Sequence, residues 1–397
     1  MKIRYDITMF SRNIDIKNPL KELSLLLLGP RQTGKSTLLT KLFPDAQLFD
    51  LLNPELFRDL NKYPSLLIEL IDQKKSGPII VDEIQKLPEL LDVVHSLISK
   101  NKSQRFILTG SSARKLRKQG QNLLGGRAYP LFLHPITSKE YLSNKKSSDS
   151  LDSFIQWGGL PSVLTAKSPE RVLKAYVGVY LQEEIKAEGY ARNLGDFSRF
   201  LDVAALTNSE QLDFAGVARD VQLSPRTVAG YYQVLQDTLI GYLLEPFKKT
   251  KIRKAVSTPK FYYFDVGICN FLTGRIALAK GTPEYGKALE HFVFTELIAY
   301  KDYCGFDFEL FYWRSTSQFE VDFIIQLKSK KLIGIEVKAT SHVDKDDLKG
   351  FKAFEEDFSL DKKIVVCNER TPRNIEGEYL AVSLKEFCRK LWAGEIF

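Results

Sequence analysis

The run "LLLLGPRQTGKSTLLTKLF" restricts the fold of this 397-residue chain more than any other stretch. It holds Gly29-x-x-x-x-Gly34-Lys35-Ser36, with an apolar strand expected before it (Ser24–Leu28) and an amphipathic helix expected after it, from Lys35 to about Phe43. The glycines let backbone N–H groups curl around phosphate oxygens, and the helix start adds the positive end of its dipole. Lys35 is suited to neutralise β- and γ-phosphates, and the Ser36 hydroxyl to coordinate Mg2+. The expected nucleotide contacts are therefore Gly29, Pro30, Arg31, Gln32, Thr33, Gly34, Lys35, Ser36 and Thr37. A chance Gly-rich turn would lack this strand, loop and helix in succession.

A second apolar run, "GPIIVDEIQKLPEL", ends in Asp82-Glu83. Beside a phosphate loop, Asp82 is expected to hold Mg2+ through water and Glu83 to polarise the attacking water. The competing reading is that these carboxylates cap the next helix. "RFILTGSS" gives a third strand ending in Thr109-Gly110-Ser111-Ser112, where a hydroxyl either senses the γ-phosphate or caps a helix. "GGRAYPLFLHPI" gives a further strand preceded by Arg127, the preferred arginine for contacting phosphate, within the chain or from a neighbouring subunit, with Arg114 and Arg117 as runners-up. Strands alternating with helices predict a parallel sheet covered on both faces.

"GPRQTGKST", "VDEIQKLPEL", "LTGSSARKL", "LLGGRA" and "WGGLPSVL" together resemble a widespread prokaryotic family of AAA+-type ATPases. Its members pair a P-loop engine with a winged-helix segment and a C-terminal nuclease-like domain. The resemblance implies an α/β chain in three parts. These are a P-loop NTPase parallel-sheet domain (1–140), a helical lid plus winged helix (141–250), and a restriction-endonuclease-like domain (251–397).

In the middle, "TSKEYLSNKKSSDSLDS" reads as a surface connection. "FIQWGGLPSVL" and "RVLKAYVGVYLQEEIKAE" read as helices of a lid, with Trp157 and Pro161 as packing elements. "LDFAGVARDVQLSPRTVAGYYQVLQDTLIGYLLEPF" has the cadence of a winged helix. One helix is expected over Phe214–Asp220, with a turn at Gln222-Leu223. A second is capped by Ser224 with Pro225 at its first position. Val228, Tyr232, Leu235 and Leu239 are expected on its inner face, and Arg226, Thr227 and Gln233 outside. The basic run "KKTKIRK" (Lys248–Lys254) follows and fits phosphate contact; the competing reading is that such a module only connects domains or mediates assembly.

"FEVDFIIQLKSKKLIGIEVKAT" places Asp322, Glu336 and Lys338 inside apolar strands. Strands bury charge only when something compensates it. Side chains alternate along a strand, so Glu336 and Lys338 share a face, and hairpin pairing through "LKSKK" brings Asp322 near Glu336. With Glu290 on an upstream helix, this set resembles the PD-(D/E)xK nuclease core. The resemblance implies Glu290, Asp322 and Glu336 as Mg2+ ligands and Lys338 as the residue that orients water or neutralises developing charge. The alternative is a charged trio paired internally on a domain that binds without cutting. Glu320 and the "YWR" of residues 312–314 have no assignment from sequence.

A net charge of +8 and a pI near 9.0 favour an anionic partner, nucleic acid first. The apolar run Leu23–Gly29 is far too short to span a bilayer, and the start "MKIRYDITMFSRN" lacks a secretory apolar stretch. Four scattered cysteines (269, 304, 367, 388) and four scattered histidines (95, 134, 291, 342) fit buried thiols in a reducing cytoplasm and no zinc site. The expected partners are ATP with Mg2+, DNA and further copies of the chain, with no membrane. Two readings compete with an ATPase–nuclease: a nucleotide-switched assembly or regulatory protein, and a protein-remodelling ATPase.

Overall fold

The structure is a computed structural model that describes residues 10–75, 77–112, 126–144, 150–181, 193–248 and 255–397. Arg114, Arg117 and the basic run after Lys248 lie outside the described residues. The chain forms two compact units. One comprises Arg12–Pro135 and Asp237–Ile240; the other comprises Met1–Ser11, Ile136–Gln236 and Gly241–Phe397.

In the first unit, α1 (Lys17–Glu22) leads into β1 (Ser24–Leu28), and the phosphate loop joins β1 to α2 (Lys35–Leu42). Then come β2 (Gln47–Asp50), α3 (Pro54–Lys62), α4 (Leu66–Leu70), β3 (Ile79–Asp82), α5 (Leu90–Lys100), β4 (Phe106–Gly110) and β5 (Ala128–Phe132). The strands form one parallel sheet in the order β2-β3-β4-β1-β5. All five residues of β1 and of β4 are buried, as the near-continuous apolar runs of a sheet covered on both faces require. The chain leaves β1 for the far side of the sheet, returns beside it in β4 and crosses to β5, so the strand order switches at β1. Ligands of open α/β sheets sit outside the carboxyl ends of strands at such a switch.

The second unit opens with α6 (Ser138–Leu142), α7 (Asp152–Trp157), α8 (Pro161–Leu164), α9 (Pro169–Ala175) and α10 (Leu194–Leu206). Next come α11 (Phe214–Val221), α12 (Pro225–Asp237), β6 (Gly241–Leu244) and β7 (Lys260–Tyr263). The expected turn and Ser224 cap are present, and Asp213 adds a cap that was not expected. Asp213 accepts the N–H groups of Ala215 and Gly216, Gln222 turns the chain at φ 58°, and Ser224 Oγ accepts Thr227 N–H at 3.1 Å. Val228, Tyr232 and Leu235 are buried while Arg226 and Gln233 are exposed. Leu239 is a correction: α12 ends at Asp237 and Leu239 lies in the turn to β6 with φ 60°, off the helix face. β6 pairs antiparallel with β7, and Gln211 bridges Lys260, so a hairpin follows the two helices.

After α13 (Val266–Leu272) and the long α14 (Pro283–Cys304), the chain builds β8 (Phe308–Arg314), β9 (Glu320–Leu327), β10 (Leu332–Val337), α15 (Lys349–Phe354), β11 (Lys362–Cys367), β12 (Arg373–Ile375), β13 (Tyr379–Ser383) and α16 (Leu384–Trp392). The six strands are ordered β12-β13-β11-β10-β9-β8, with β10, β11 and β13 parallel and β9 antiparallel to both its neighbours. Strand alternation divides the core. Phe323, Ile325 and Ile335 pack with Phe292 of α14 and Leu391 of α16, while Ile324 and Val365 pack with Phe351 of α15. Both faces are covered, which is why these strands read as apolar throughout. Cys269, Cys367 and Cys388 are buried; Cys304, expected buried, is exposed because it ends α14 just before Gly305 turns away at φ 60°.

Candidate functional site

The loop after β1 is shaped by two left-handed residues, Gln32 (φ 62°) and Gly34 (φ 94°). Gly29 has no room for a side chain, since a Cβ there would stand 2.4 Å from the carbonyl oxygen of Leu133. Thr33 Oγ1 donates to Pro30 O at 2.9 Å, and the Lys35 ammonium donates to Gly29 O (2.7 Å) and Pro30 O (3.1 Å). Arg12, which lies in no recognisable motif, ties this loop to the chain leaving β5. Its guanidinium donates to Thr33 O at 2.7 Å and to His134 O at 2.5 Å.

Ser36, Asp82, Glu83 and Thr109 meet at the carboxyl ends of β1, β3 and β4. Ser36 Oγ donates to Asp82 Oδ2 at 2.5 Å, and Thr109 Oγ1 donates to Asp82 Oδ1 while accepting Glu83 N–H at 3.1 Å. Glu83 stands in the left-handed region (φ 60°) and makes no side-chain cap on the short helix Ile84–Lys86. Its Oε2 instead accepts Gln85 Nε2 at 2.5 Å, and the same amide donates to Ser111 Oγ at 3.0 Å. Asp82, Glu83, Gln85, Thr109 and Ser111 are all buried. Gln85 is a second residue the sequence did not single out, although an amide two residues past paired acids was a readable signal.

Arg127 lies at the other edge of this sheet. Ala128 pairs with Ser24 at the amino end of β1, so Arg127 is about five residues of strand, roughly 15 Å, from the start of the loop. It is exposed, with Nη1 against His95 Nε2. Within one chain it does not reach the loop.

The residues present fit a nucleoside triphosphate with Mg2+. The cradle that excludes a Cβ at Gly29, the left-handed loop, a lysine held across it and a serine–aspartate pair are the groups that phosphate and a hard cation need.

The second cluster lies in the other unit, on α14, β7, β9 and β10. Val337 N–H donates to Asp322 Oδ2 at 2.7 Å, Asp322 N–H to Glu336 Oε2 at 3.4 Å, and the Lys338 ammonium stands 2.8 Å from Glu336 Oε1. The hairpin register thus brings Asp322 and Glu336 together. Glu290 has other partners. Its Oε1 accepts Tyr262 OH at 2.6 Å and faces the Lys260 ammonium at 3.0 Å. Lys260 also meets Glu320 Oε1 at 2.5 Å, and Arg314 meets Glu320 Oε2 at 3.0 Å. Glu320 and Arg314, unassigned from sequence, thereby join the cluster.

Burial, with Glu336 and Glu290 nearby, drives the Asp322 carboxyl well above the usual range. Burial lifts Glu336 to about 7 against the opposing pull of Lys338. For Lys260 burial disfavours the charge, but Glu290, Glu320 and Asp322 outweigh it and keep the ammonium protonated. The donor set does not fit a divalent ion. Glu290 is engaged by Lys260 and Tyr262, Glu336 by Lys338 and a backbone N–H. Among the described residues no three histidine, cysteine, aspartate or glutamate side chains form a group that could hold a metal. No described helix is long and apolar enough to cross a membrane.

Residues 21–142 match the family model described as an AAA domain. Residues 148–278 and 285–387 each match a domain of unknown function (DUF8612 and DUF4143). An uncharacterised protein of Mycobacterium tuberculosis is 28% identical over 327 residues, covering 80% of this chain and 70% of its own length. An uncharacterised protein of Methanocaldococcus jannaschii is 24% identical over 405 residues, covering 93% of this chain and 87% of its own length. The AMPPCP-bound DnaA from Aquifex aeolicus is a loose structural likeness, with a TM-score of 0.30 and 14% identity over 55% of this chain and 84% of that one. Residues 21–142 thus carry a domain of the AAA type.

Proposed function

We propose that the AAA-type ATPase domain binds ATP with Mg2+, hydrolyses it, and uses the cycle to act on DNA held by the second unit. The observation that carries this reading is the hydrogen-bonded set Ser36–Asp82–Thr109–Glu83 at the switch point of the sheet. Bound ATP with Mg2+ supplies the phosphoryl group and the divalent charge that offsets negative charge during its transfer to water. Lys35 and the loop amides bind the phosphates. Ser36 and Asp82 hold the cation's oxygen shell. Glu83 accepts a proton from water, and Gln85 fixes its carboxylate. Arg127 serves a phosphate only from a neighbouring copy, which makes self-assembly part of the reading.

Three observations support DNA as the partner. The net charge is +8, Arg226 and Gln233 project from α12, and a cleft of about 670 Å³ opens where β10, β11 and β13 end, lined by Lys280, Arg370 and Lys385 together with Glu369 and with Asp152, which pairs with Lys280 at 2.8 Å. The sheet order β8-β9-β10-β11 after a long helix, with Glu290, Asp322, Glu336 and Lys338 in one neighbourhood, supports the nuclease-like reading of the fold. The donor set favours the version that binds without metal-dependent cutting. The test is the ATPase rate with and without single-stranded, duplex and branched DNA, alongside DNA binding as a function of salt. Stimulation together with salt-weakened binding is expected. An unchanged rate and no binding at low salt would leave the protein-remodelling reading in its place.

A further inference from the structure

Lys260 is buried to 3% side-chain exposure inside the run "KFYYF" and points at carboxylates of two other elements. Its strand position is fixed from outside the acidic site. Leu244 of β6 pairs with Lys260, Gln211 bridges it, and Leu212 N–H donates to Pro259 O at 2.9 Å. From there the ammonium reaches Glu290 of α14 at 3.0 Å and Glu320 of β9 at 2.5 Å, and lies 5.3 Å from the ring centroid of Tyr312 on β8. Tyr262, two residues along the same strand, donates to the Glu290 oxygen that Lys260 engages. Four carboxylates (Glu290, Glu320, Asp322 and Glu336) thus surround two ammonium groups, Lys260 and Lys338, with Arg314 behind Glu320.

We propose that the Lys260 ammonium is the resident cation of this acidic site: it neutralises Glu290 and Glu320 from β7, takes the charge position a divalent ion would need, and keeps the site free of metal. A buried ammonium and a divalent ion a few ångströms apart repel strongly where water cannot screen them. The rings of Tyr312 and Tyr262 line the ammonium's surroundings, so it cannot leave for solvent without uncovering apolar surface. Lys260 also makes the site a latch, because the cation comes from the β6–β7 hairpin and the carboxylates from the sheet and helix of the C-terminal fold. This inference rests on the metal-free reading of the second unit and is independent of the ATPase reading.

Mn2+ uptake, followed by electron paramagnetic resonance on the full chain without nucleotide, tests it. A Lys35→Ala background keeps the phosphate loop out of the measurement. The parent is expected to show no Mn2+ site sensitive to Asp322→Asn. Lys260→Ala and Lys260→Met are each expected to gain one, tighter by on the order of tenfold or more than any uptake by the parent. Adding Asp322→Asn removes the gain. Mn2+ binding by the parent that Asp322→Asn abolishes overturns the inference, as does the absence of any gain in both folded variants. If neither variant folds, Lys260→Arg decides by thermal denaturation. Mn2+ is expected to raise the Tm of neither the parent nor the arginine variant, and a rise that Asp322→Asn removes overturns the inference.

Discussion

Arg12→Ala separates what the phosphate loop does by its own sequence from what its support does. The guanidinium makes two close charge-assisted hydrogen bonds, to Thr33 O at 2.7 Å and His134 O at 2.5 Å, and a longer one to Pro135 O at 3.4 Å. Bonds to a charged donor contribute about 1.5–3 kcal/mol each. Arg12 is half-buried, so water can replace part of each lost bond, and the lower end, about 3 kcal/mol for the pair, is the reasonable stability loss. Only the share that holds Thr33 in its binding conformation enters nucleotide affinity. If that is about half, ATP binding weakens by roughly tenfold. Lys at this position carries one point charge and can serve one carbonyl well, so Arg12→Lys should fall between the two. Titration of a fluorescent ATP analogue, run beside thermal unfolding, measures both quantities. Lowered thermal stability with affinity unchanged within twofold would refute the argument. The loop would then owe its shape to Gly29, Thr33 and Gly34 alone.

Three further outcomes are expected. Glu83→Gln should retain ATP binding and lose turnover by about 10²–10⁴, the usual worth of a positioned general base, as single-turnover hydrolysis would read. Asp265 is buried and accepts Gly159 N–H at 2.7 Å and Ile268 N–H at 3.1 Å, and burial lifts its carboxyl from the ordinary 3.8 to about 6. The folded chain therefore holds this proton more tightly than the unfolded chain, and the associated stability is present below about pH 3.8 and lost as pH rises through 6. Denaturant unfolding of wild type and Asp265→Asn should diverge by about 2–3 kcal/mol in favour of Asn between pH 4 and pH 7; parallel curves would contradict the burial argument. Gly158→Ala should destabilise the same corner, because its φ is 80° and a Cβ would stand 2.1 Å from Asp265 Oδ1; an unchanged Tm would contradict that.

What could be read from the sequence was local. Strand, loop and helix around Gly29–Ser36, the acids at the end of β3, helices α11 and α12 with the Ser224 cap, and the hairpin bringing Asp322 to Glu336 all follow from contacts a few residues apart or from period-two alternation. What could not be read was long-range. Arg12 acts on Thr33 and His134, 21 and 122 residues away, from a segment with no periodic pattern. Lys260 engages Glu290 and Glu320 across three elements, and its one sequence signal, a lysine at the head of an apolar strand, is shared with many snorkelling lysines. Trp157 was legible as a packing element, but the turn after it was not: Asp265, more than a hundred residues on, fills the space beside Gly158 and accepts Gly159 N–H. Arg127 had a suitable charge, yet strand direction puts it at the amino edge of the sheet, which charge alone does not reveal.

On the proposed reading the loop from Gly29 to Ser36 grips a triphosphate. Isothermal titration of the full chain with ATP and Mg2+, wild type beside Lys35→Ala, tests it most directly. One site in wild type and loss of that site in the variant is the predicted result. No heat of binding in wild type, or equal affinity in the two proteins, would contradict it.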